Sequence, residues 1–276
     1  MGETGKVIKN EYYKNPEIFN NLLEIRIRCA NPIQLKTSTE NIFLAHKPQS
    51  TEIDRIVTSL CSNSVYAYEK SIKDGFVTIK GGHRVGLAGR YVTDKGILTI
   101  GSINIRVAGE IKGSCKCVLP EIMKPDGDVY NSLIVSPPGC GKTTLLRDIA
   151  RVLSYQNISV GIVDERSEVA ACFMGVPCND LGPCCDVYDA CPKDIGIYMM
   201  LRAMSPYVIV TDEVGNEKDV IALKQAVTAG VRLIATCHGA SEKDVLEKGL
   251  KGIFQRIVIL SSGKGPGTVE RVIKYG

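Results

Sequence analysis

Leu133-Ile-Val-Ser-Pro-Pro-Gly-Cys-Gly-Lys-Thr-Thr-Leu-Leu146 is the stretch whose reading decides the fold. Leu133, Ile134 and Val135 read as a short buried strand, and a Pro/Gly turn follows them. Beyond Gly141-Lys142-Thr143, the residues Leu145, Leu146, Ile149, Val152 and Leu153 recur at helical spacing. A strand, a glycine-rich turn and a helix in this order make a phosphate-binding loop, because backbone N–H groups and the helix N-terminus face the anion. On this reading Ser136, Pro137, Pro138, Gly139, Cys140, Gly141, Lys142, Thr143 and Thr144 surround the phosphates of ATP. Lys142 reaches the β- and γ-phosphates, and Thr143 offers its hydroxyl to Mg2+. Ser136 stands where the pattern normally has its first glycine, which costs little at negative φ and strains the loop at positive φ.

Outward from this stretch, residues 131–276 alternate strand and helix, within a second domain expected over 129–276. Strands are expected over 159–164, 207–212, 231–236 and 256–260, and helices over 142–154, 194–204, 217–229 and 242–250. A hairpin is expected around Gly263-Lys-Gly-Pro-Gly267. Apolar, β-branched strands alternating with helices predict a mainly parallel sheet covered by helices, with ligands at the carboxyl ends of the strands. Residues 1–112 predict a smaller α+β domain. Glu24–Arg28 and Ile103–Val107 alternate with period two, a helix near Glu52–Cys61 opens on Thr51-x-x-Asp54, and Gly81–Arg90 reads as a bent strand or a loop. Residues 113–128, with their prolines, glycines and charges, read as a linker.

Every polar motif of the second domain falls at a strand's carboxyl end. Val208-Ile-Val-Thr-Asp-Glu213 places Asp212 where it would hold Mg2+ and Glu213 where it would orient the attacking water. Asp164-Glu165-Arg166 ends another strand; its carboxylates would meet the water or the Mg2+ shell, or else form a local salt-bridge turn with Arg166. Thr236-Cys-His238 puts His238 at the same edge, suited to sensing the γ-phosphate, whereas His46 has no such context.

Composition narrows the classes. Hydrophobic residues at 44% and charged residues at 23% describe an ordinary globular chain. No apolar run approaches the ~20 residues that span a bilayer, and the N-terminus lacks the apolar core of a signal peptide, so the cytosol is the expected compartment. Eleven cysteines are an odd number in a chain of this size. Cys172, Cys178, Cys184, Cys185 and Cys191 lack the C-x2-C spacing of common zinc sites, and reduced thiols are expected. The basic excess belongs to residues 1–127, with 18 Lys/Arg against 13 Asp/Glu. That is short of a nucleic-acid signature, and a chain with no Trp and 5 Phe offers few rings for stacking. Gly86-Leu-Ala-Gly89 lacks the internal basic residues of an RNA-clamping loop. Nucleic acid is therefore not the expected partner.

Leu201-Arg-Ala-Met-Ser-Pro-Tyr-Val-Ile-Val-Thr-Asp-Glu213 resembles the L-R-x-x-P-D-x-I-x-x-G-E pattern of type II and type IV secretion and pilus ATPases, with acidic and histidine boxes at Asp164–Glu165 and Thr236–His238. A closer resemblance, over roughly residues 20–275, is to the stage III sporulation protein AA family. It rests on Gly82-His-Arg-Val-Gly-Leu-Ala-Gly-Arg90, Ser102-Ile-Asn-Ile-Arg106, Val163-Asp-Glu-Arg-Ser-Glu168 and Asp189-Ala-Cys-Pro-Lys193. The resemblance implies a RecA-like P-loop ATPase core and a homo-oligomer, expected to be a hexamer. It further implies a ring at the mother-cell membrane that powers or assembles a channel to the forespore. The partner implied is a small membrane protein that docks the ring on the cytoplasmic side. Glu213, Lys142, Glu165, His238 and Arg202 would then be catalytic. Tyr207 departs from the usual aspartate, and Cys184-Cys185 stands where the sporulation family often has Arg-Thr. Arg84, Arg90, Arg106 and Arg202 are the candidates for an arginine supplied across an interface. An ATP-binding scaffold with weak turnover and a RecA-like nucleic-acid motor are the alternative functions.

Overall fold

The computed structural model describes residues 2–61, 72–73, 75–92, 96–107, 109, 111–261 and 263–275, with the side chains of 96–98 left aside. The chain divides into two compact units, Met1–Gly109 and Glu110–Gly276.

The first unit is built on an antiparallel sheet of six strands in the order β3-β2-β1-β6-β5-β4. These are β1 (Leu22–Arg28), β2 (Ile33–Thr37), β3 (Asn41–Leu44), β4 (Phe76–Ile79), β5 (His83–Val92) and β6 (Gly96–Arg106). Alternation sends Ile27, Ile33, Leu35, Val77, Val85, Leu87 and Ile103 to one face. Helices α1 (Glu3–Lys14), α2 (Pro16–Asn20) and α3 (Ser50–Leu60) add Val7, Phe19, Ile53 and Val57 to that core. The other face carries Arg26, Arg28, Asn104, Arg106, Arg84 and Gly86, which the pairing register brings side by side. The glycine run expected as a bent strand or loop is β5, and Gly89 makes the bend possible. A Cβ there would lie 1.8 Å from the Thr99 carbonyl oxygen, at a register shift where β6 comes close.

The α3 cap lies earlier than expected. Gln49 and Glu52 form the capping box, and Thr51 and Asp54 lie within the helix. Glu52 also accepts from the Thr4 hydroxyl at 2.8 Å and lies 3.0 Å from His46 Nε2. His46 thus ties α1 to the start of α3 rather than belonging to a reactive site.

The second unit holds a seven-stranded sheet in the order β13-β12-β7-β11-β10-β8-β9, parallel except for β13. Its strands are β7 (Ser132–Ser136), β8 (Val160–Asp164), β9 (Cys185–Asp189), β10 (Val208–Thr211), β11 (Arg232–His238), β12 (Arg256–Leu260) and β13 (Val269–Lys274). The helices are α4 (Leu119–Ile122), α5 (Lys142–Tyr155), α6 (Lys193–Ala203), α7 (Glu217–Thr228) and α8 (Glu242–Glu247). Both sheet faces are covered, which explains why the strands read as continuous apolar runs. Ile134, Ile162, Val210 and Ile234 pack with Leu145, Leu146, Ile149 and Leu153 of α5. Leu133, Val163, Ile209 and Leu233 pack with Ile197, Met200, Leu223 and Ala226 of α6 and α7.

Residues 113–128 correct the expected linker. Cys115, Val118 and Ile122 are buried in the α5 side of the second core, and the Cys115 N–H donates to Asp148 Oδ2 at 2.9 Å. Their polarity misled because the apolar residues are sparse and only three-dimensional packing shows that they cover a sheet face. Strand β9 was also not expected. It sits at the sheet edge, and its five residues lie in a stretch, 165–192, that is rich in Gly, Pro and Cys.

Candidate active site

β7 is fully buried and ends at Ser136, from which the loop 137–141 carries the chain into α5. Ser136 is not among the residues at positive φ, so the missing glycine introduces no strain. Gly139 and Gly141 are the positive-φ positions, at 78° and 86°. A side chain at Gly141 would meet the Gly267 nitrogen at 3.0 Å, because the β12–β13 hairpin tip rests on this loop. The Gly267 N–H donates to the Cys140 carbonyl at 2.9 Å. The first turn of α5 leaves its N–H groups without intrahelical acceptors, as every helix start does, and here they open onto the glycine-rich loop.

Lys142 is only 5% exposed. Its ammonium donates to the carbonyl oxygens of Ser136 at 2.8 Å and Pro137 at 3.0 Å, and to His238 Nδ1 at 3.2 Å. Burial lowers its pKa, while the carboxylates of Asp212 and Glu213 act in the opposite sense. Strand β11 lies between β7 and β10 and supplies the link between the loop and the acids. His238 is register-paired with Ser136, and its Nε2 lies 2.9 Å from Glu213 Oε1. The Thr236 hydroxyl donates to Asp212 Oδ1 and accepts from the Glu213 N–H at 2.8 Å. Thr143 Oγ1 donates to Asp212 Oδ2 at 2.8 Å. Glu213 has φ 48°, a left-handed conformation that turns its carboxylate out of the strand direction. Its Oε2 is paired with Arg166 Nη1.

Lys142, Thr143, Asp212, Glu213 and His238 are therefore brought together as expected. Glu165 is not joined to them; it pairs with Lys193, the first residue of α6. Asp164 is turned into the fold instead. Its 1%-exposed carboxylate accepts the N–H groups of Glu168 at 3.0 Å, Val169 at 2.9 Å and Ala170 at 2.8 Å, and so folds the next loop. Arg202 lies at the end of α6 before β10 begins, at the amino edge of the sheet, where it donates to the Tyr198 hydroxyl at 2.7 Å. Glu165 and Arg202 were placed by motif alone, and motif spacing does not say which way a side chain turns. Conversely, Thr236, Arg166 and the 263–267 hairpin tip take partners in the site that their local motifs do not indicate. A hydroxyl two residues from a histidine, or a glycine-rich tip over a hundred residues from the loop, carries no signal of its neighbours.

Asp164→Ala is expected to lower unfolding stability by about 2–4 kcal/mol, since three N–H groups lose a buried acceptor. Burial pushes the Asp164 carboxyl up to about 6, helped by the Asp189 carboxylate and opposed by the N–H donors. Its folded value lies above its unfolded one, so its stabilisation is complete below about pH 4 and is lost as pH rises through 6. Urea unfolding should show a larger penalty for the variant at pH 5 than at pH 8.

The sequence profile of the sporulation stage III protein AA family matches residues 4–275. The chain belongs to that family. It is 42% identical over 264 residues to stage III sporulation protein AA of Bacillus subtilis (strain 168), covering 90% of this chain and 85% of that one. The fold is similar to that of the pilus retraction motor PilT solved with bound ADP, at TM-score 0.68 and 14% identity, over 96% of this chain and 82% of the other. It is also similar to the ATPase DotB of Legionella pneumophila, at TM-score 0.61 and 15% identity, over 91% and 75%. These structural likenesses show a shared fold.

The two departures from the family patterns have definite surroundings. The Tyr207 hydroxyl donates to Asp128 Oδ1 at 2.6 Å, and Asp128 also pairs with Arg232 and Lys124. Cys185 lies on β9 with its thiol pushed up to about 12 by burial, and Cys172 is buried likewise. These cysteines pack as apolar residues. Among the described residues no helix is long and apolar enough to cross a membrane.

Proposed function

We propose that this chain is a Mg2+-dependent ATP hydrolase that works as a homo-oligomeric ring, a hexamer, peripheral to the mother-cell membrane and docked there by a small membrane protein. The ring powers or assembles a transport channel between mother cell and forespore. Membership of the sporulation family supports the setting, and one observation supports the chemistry: Lys142, His238 and Glu213 form a continuous chain of contacts beside the Thr143–Asp212 pair.

The donor set suits Mg2+, since a threonine hydroxyl and a carboxylate are hard oxygen ligands already 2.8 Å apart. When bound, the ion would neutralise charge on the β- and γ-phosphate oxygens. Lys142 exchanges its carbonyl partners for phosphate oxygens, and the loop N–H groups hold the rest of the polyphosphate. Glu213 orients the attacking water and takes its proton as the water oxygen bonds to the γ-phosphorus. The bond to the β,γ-bridging oxygen breaks, and ADP leaves with the electron pair. His238 bridges Lys142 and Glu213, so a γ-phosphate that draws the lysine away alters the hydrogen bonding of the carboxylate.

Arg202 stands outside this chain's own cluster, and its exposed position at the far edge of the sheet leaves it free to serve a neighbouring copy. Arg84 and Arg106, adjacent on the polar face of the first unit, are further candidates, as is Arg90. The deciding experiment is the Mg2+-ATP hydrolysis rate per subunit across a wide range of protein concentration. A rate that climbs steeply with concentration is the expected result. A flat rate would mean that each subunit works alone, and the ring would be withdrawn. Absence of turnover with intact ATP binding would leave the scaffold reading in its place.

A further inference from the structure

Arg166 follows Asp164-Glu165 in sequence, yet neither acid is its partner: Asp164 is used by three backbone N–H groups and Glu165 by Lys193. Its guanidinium instead reaches Glu213 at the end of a different strand. We propose that Arg166 is a positioning residue for Glu213, and that the loop after β8 thereby sets the alignment of the water-orienting carboxylate. The proposal rests on the role given to Glu213 above.

The geometry gives the arginine a fixed base. Asp164 gathers the N–H groups of 168–170, and Arg147 of α5 donates to the Val169 carbonyl at 2.7 Å and the Glu168 carbonyl at 2.6 Å. Ser167 adopts φ 54° and donates its hydroxyl to Asp189 Oδ1 at 2.6 Å. Residues on both sides of Arg166 are therefore held to the core, while its own side chain is 59% exposed.

The glutamate needs such a partner. Its backbone is set by Thr236, and His238 engages only Oε1, which leaves the plane of the carboxylate free to turn about its terminal torsion. A second, charge-assisted contact on Oε2 removes that freedom. Each carboxylate oxygen accepts about two hydrogen bonds, so both contacts leave acceptor sites for a water. Arg166 accordingly aligns the base without blocking it. Among the described residues of the second unit, Arg166 is the arginine paired with Glu213.

The test is a double-mutant cycle in the full chain, using Arg166→Ala, Arg166→Lys, Glu213→Gln and the Arg166→Ala/Glu213→Gln pair, with ADP affinity and thermal melting as controls. Arg166→Ala should lower kcat by about tenfold to a hundredfold, the scale of a misaligned catalytic group, with KM for ATP within about twofold. Arg166→Lys and added guanidine should each restore part of the rate. In the Glu213→Gln background, Arg166→Ala should change nothing further. Additive losses would show that Arg166 acts on the phosphates directly and would overturn the proposal, as would a change confined to KM. A slow Glu213→Gln beside an unaffected Arg166→Ala would overturn this proposal alone. A normal rate in Glu213→Gln would remove the Glu213 role and this inference with it. If Arg166→Ala melts early, the Arg166→Lys variant carries the same comparison.

Discussion

Lys142→Ala is expected to abolish measurable nucleotide binding, with a loss in ADP affinity of at least about a hundredfold. The ammonium is the buried cation at the centre of the site, and a polyphosphate desolvated in this loop needs a counterion there. Leaving a buried charge without its partner costs about 3–5 kcal/mol, which converts to at least two orders of magnitude. The substitution also leaves the Ser136 and Pro137 carbonyls and His238 Nδ1 without their common donor. Water can reach these groups once the side chain is gone, so the fold should survive. Titration of a fluorescent ADP analogue, paired with a melting curve, checks both statements. Near-normal affinity in a folded variant would mean that the loop N–H groups alone hold the phosphates.

Glu213→Gln should separate binding from turnover. The amide keeps the volume and can still present an acceptor to His238, so ATP affinity is expected within about threefold of the parent, given that neutral replacements at such a contact change little. Turnover should fall by about 10²–10⁴, the usual contribution of a positioned general base. Single-turnover kinetics with saturating Mg2+-ATP make the comparison, because they exclude product release. Normal turnover would assign the water to another group and remove Glu213 from the chemistry.

Much of the second unit was legible in the chain. The strand and helix periods, the glycine-rich turn and the acids at strand ends are local signals, each written within about fifteen residues. They located Lys142, Thr143, Asp212, Glu213 and His238 correctly as one constellation because a parallel sheet gathers the carboxyl ends of its strands at one edge. The linker reading failed for the opposite reason. Cys115, Val118 and Ile122 are too sparse to announce burial, and only the neighbouring sheet face gives them something to cover.

Which partner each charged side chain takes was not local information. Arg166 is adjacent in sequence to two acids and pairs with a third, 47 residues on, because the sheet order β10-β8 sets two strand ends side by side. Glu165 and Arg202 sat in motifs that suggested chemistry, but the side chain of Glu165 pairs with Lys193 and the end of α6 carries Arg202 to the far edge. The sequence by itself determined a P-loop core, its family and the acids and histidine at its edge, because backbone periodicity and loop chemistry are properties of contiguous residues. Only the tertiary structure decided the pairing of Glu213 with His238 and Arg166, the seating of the hairpin tip on the phosphate loop and the burial of Cys115, Val118 and Ile122. Those depend on distances between segments far apart in the chain, which strand order and packing set together.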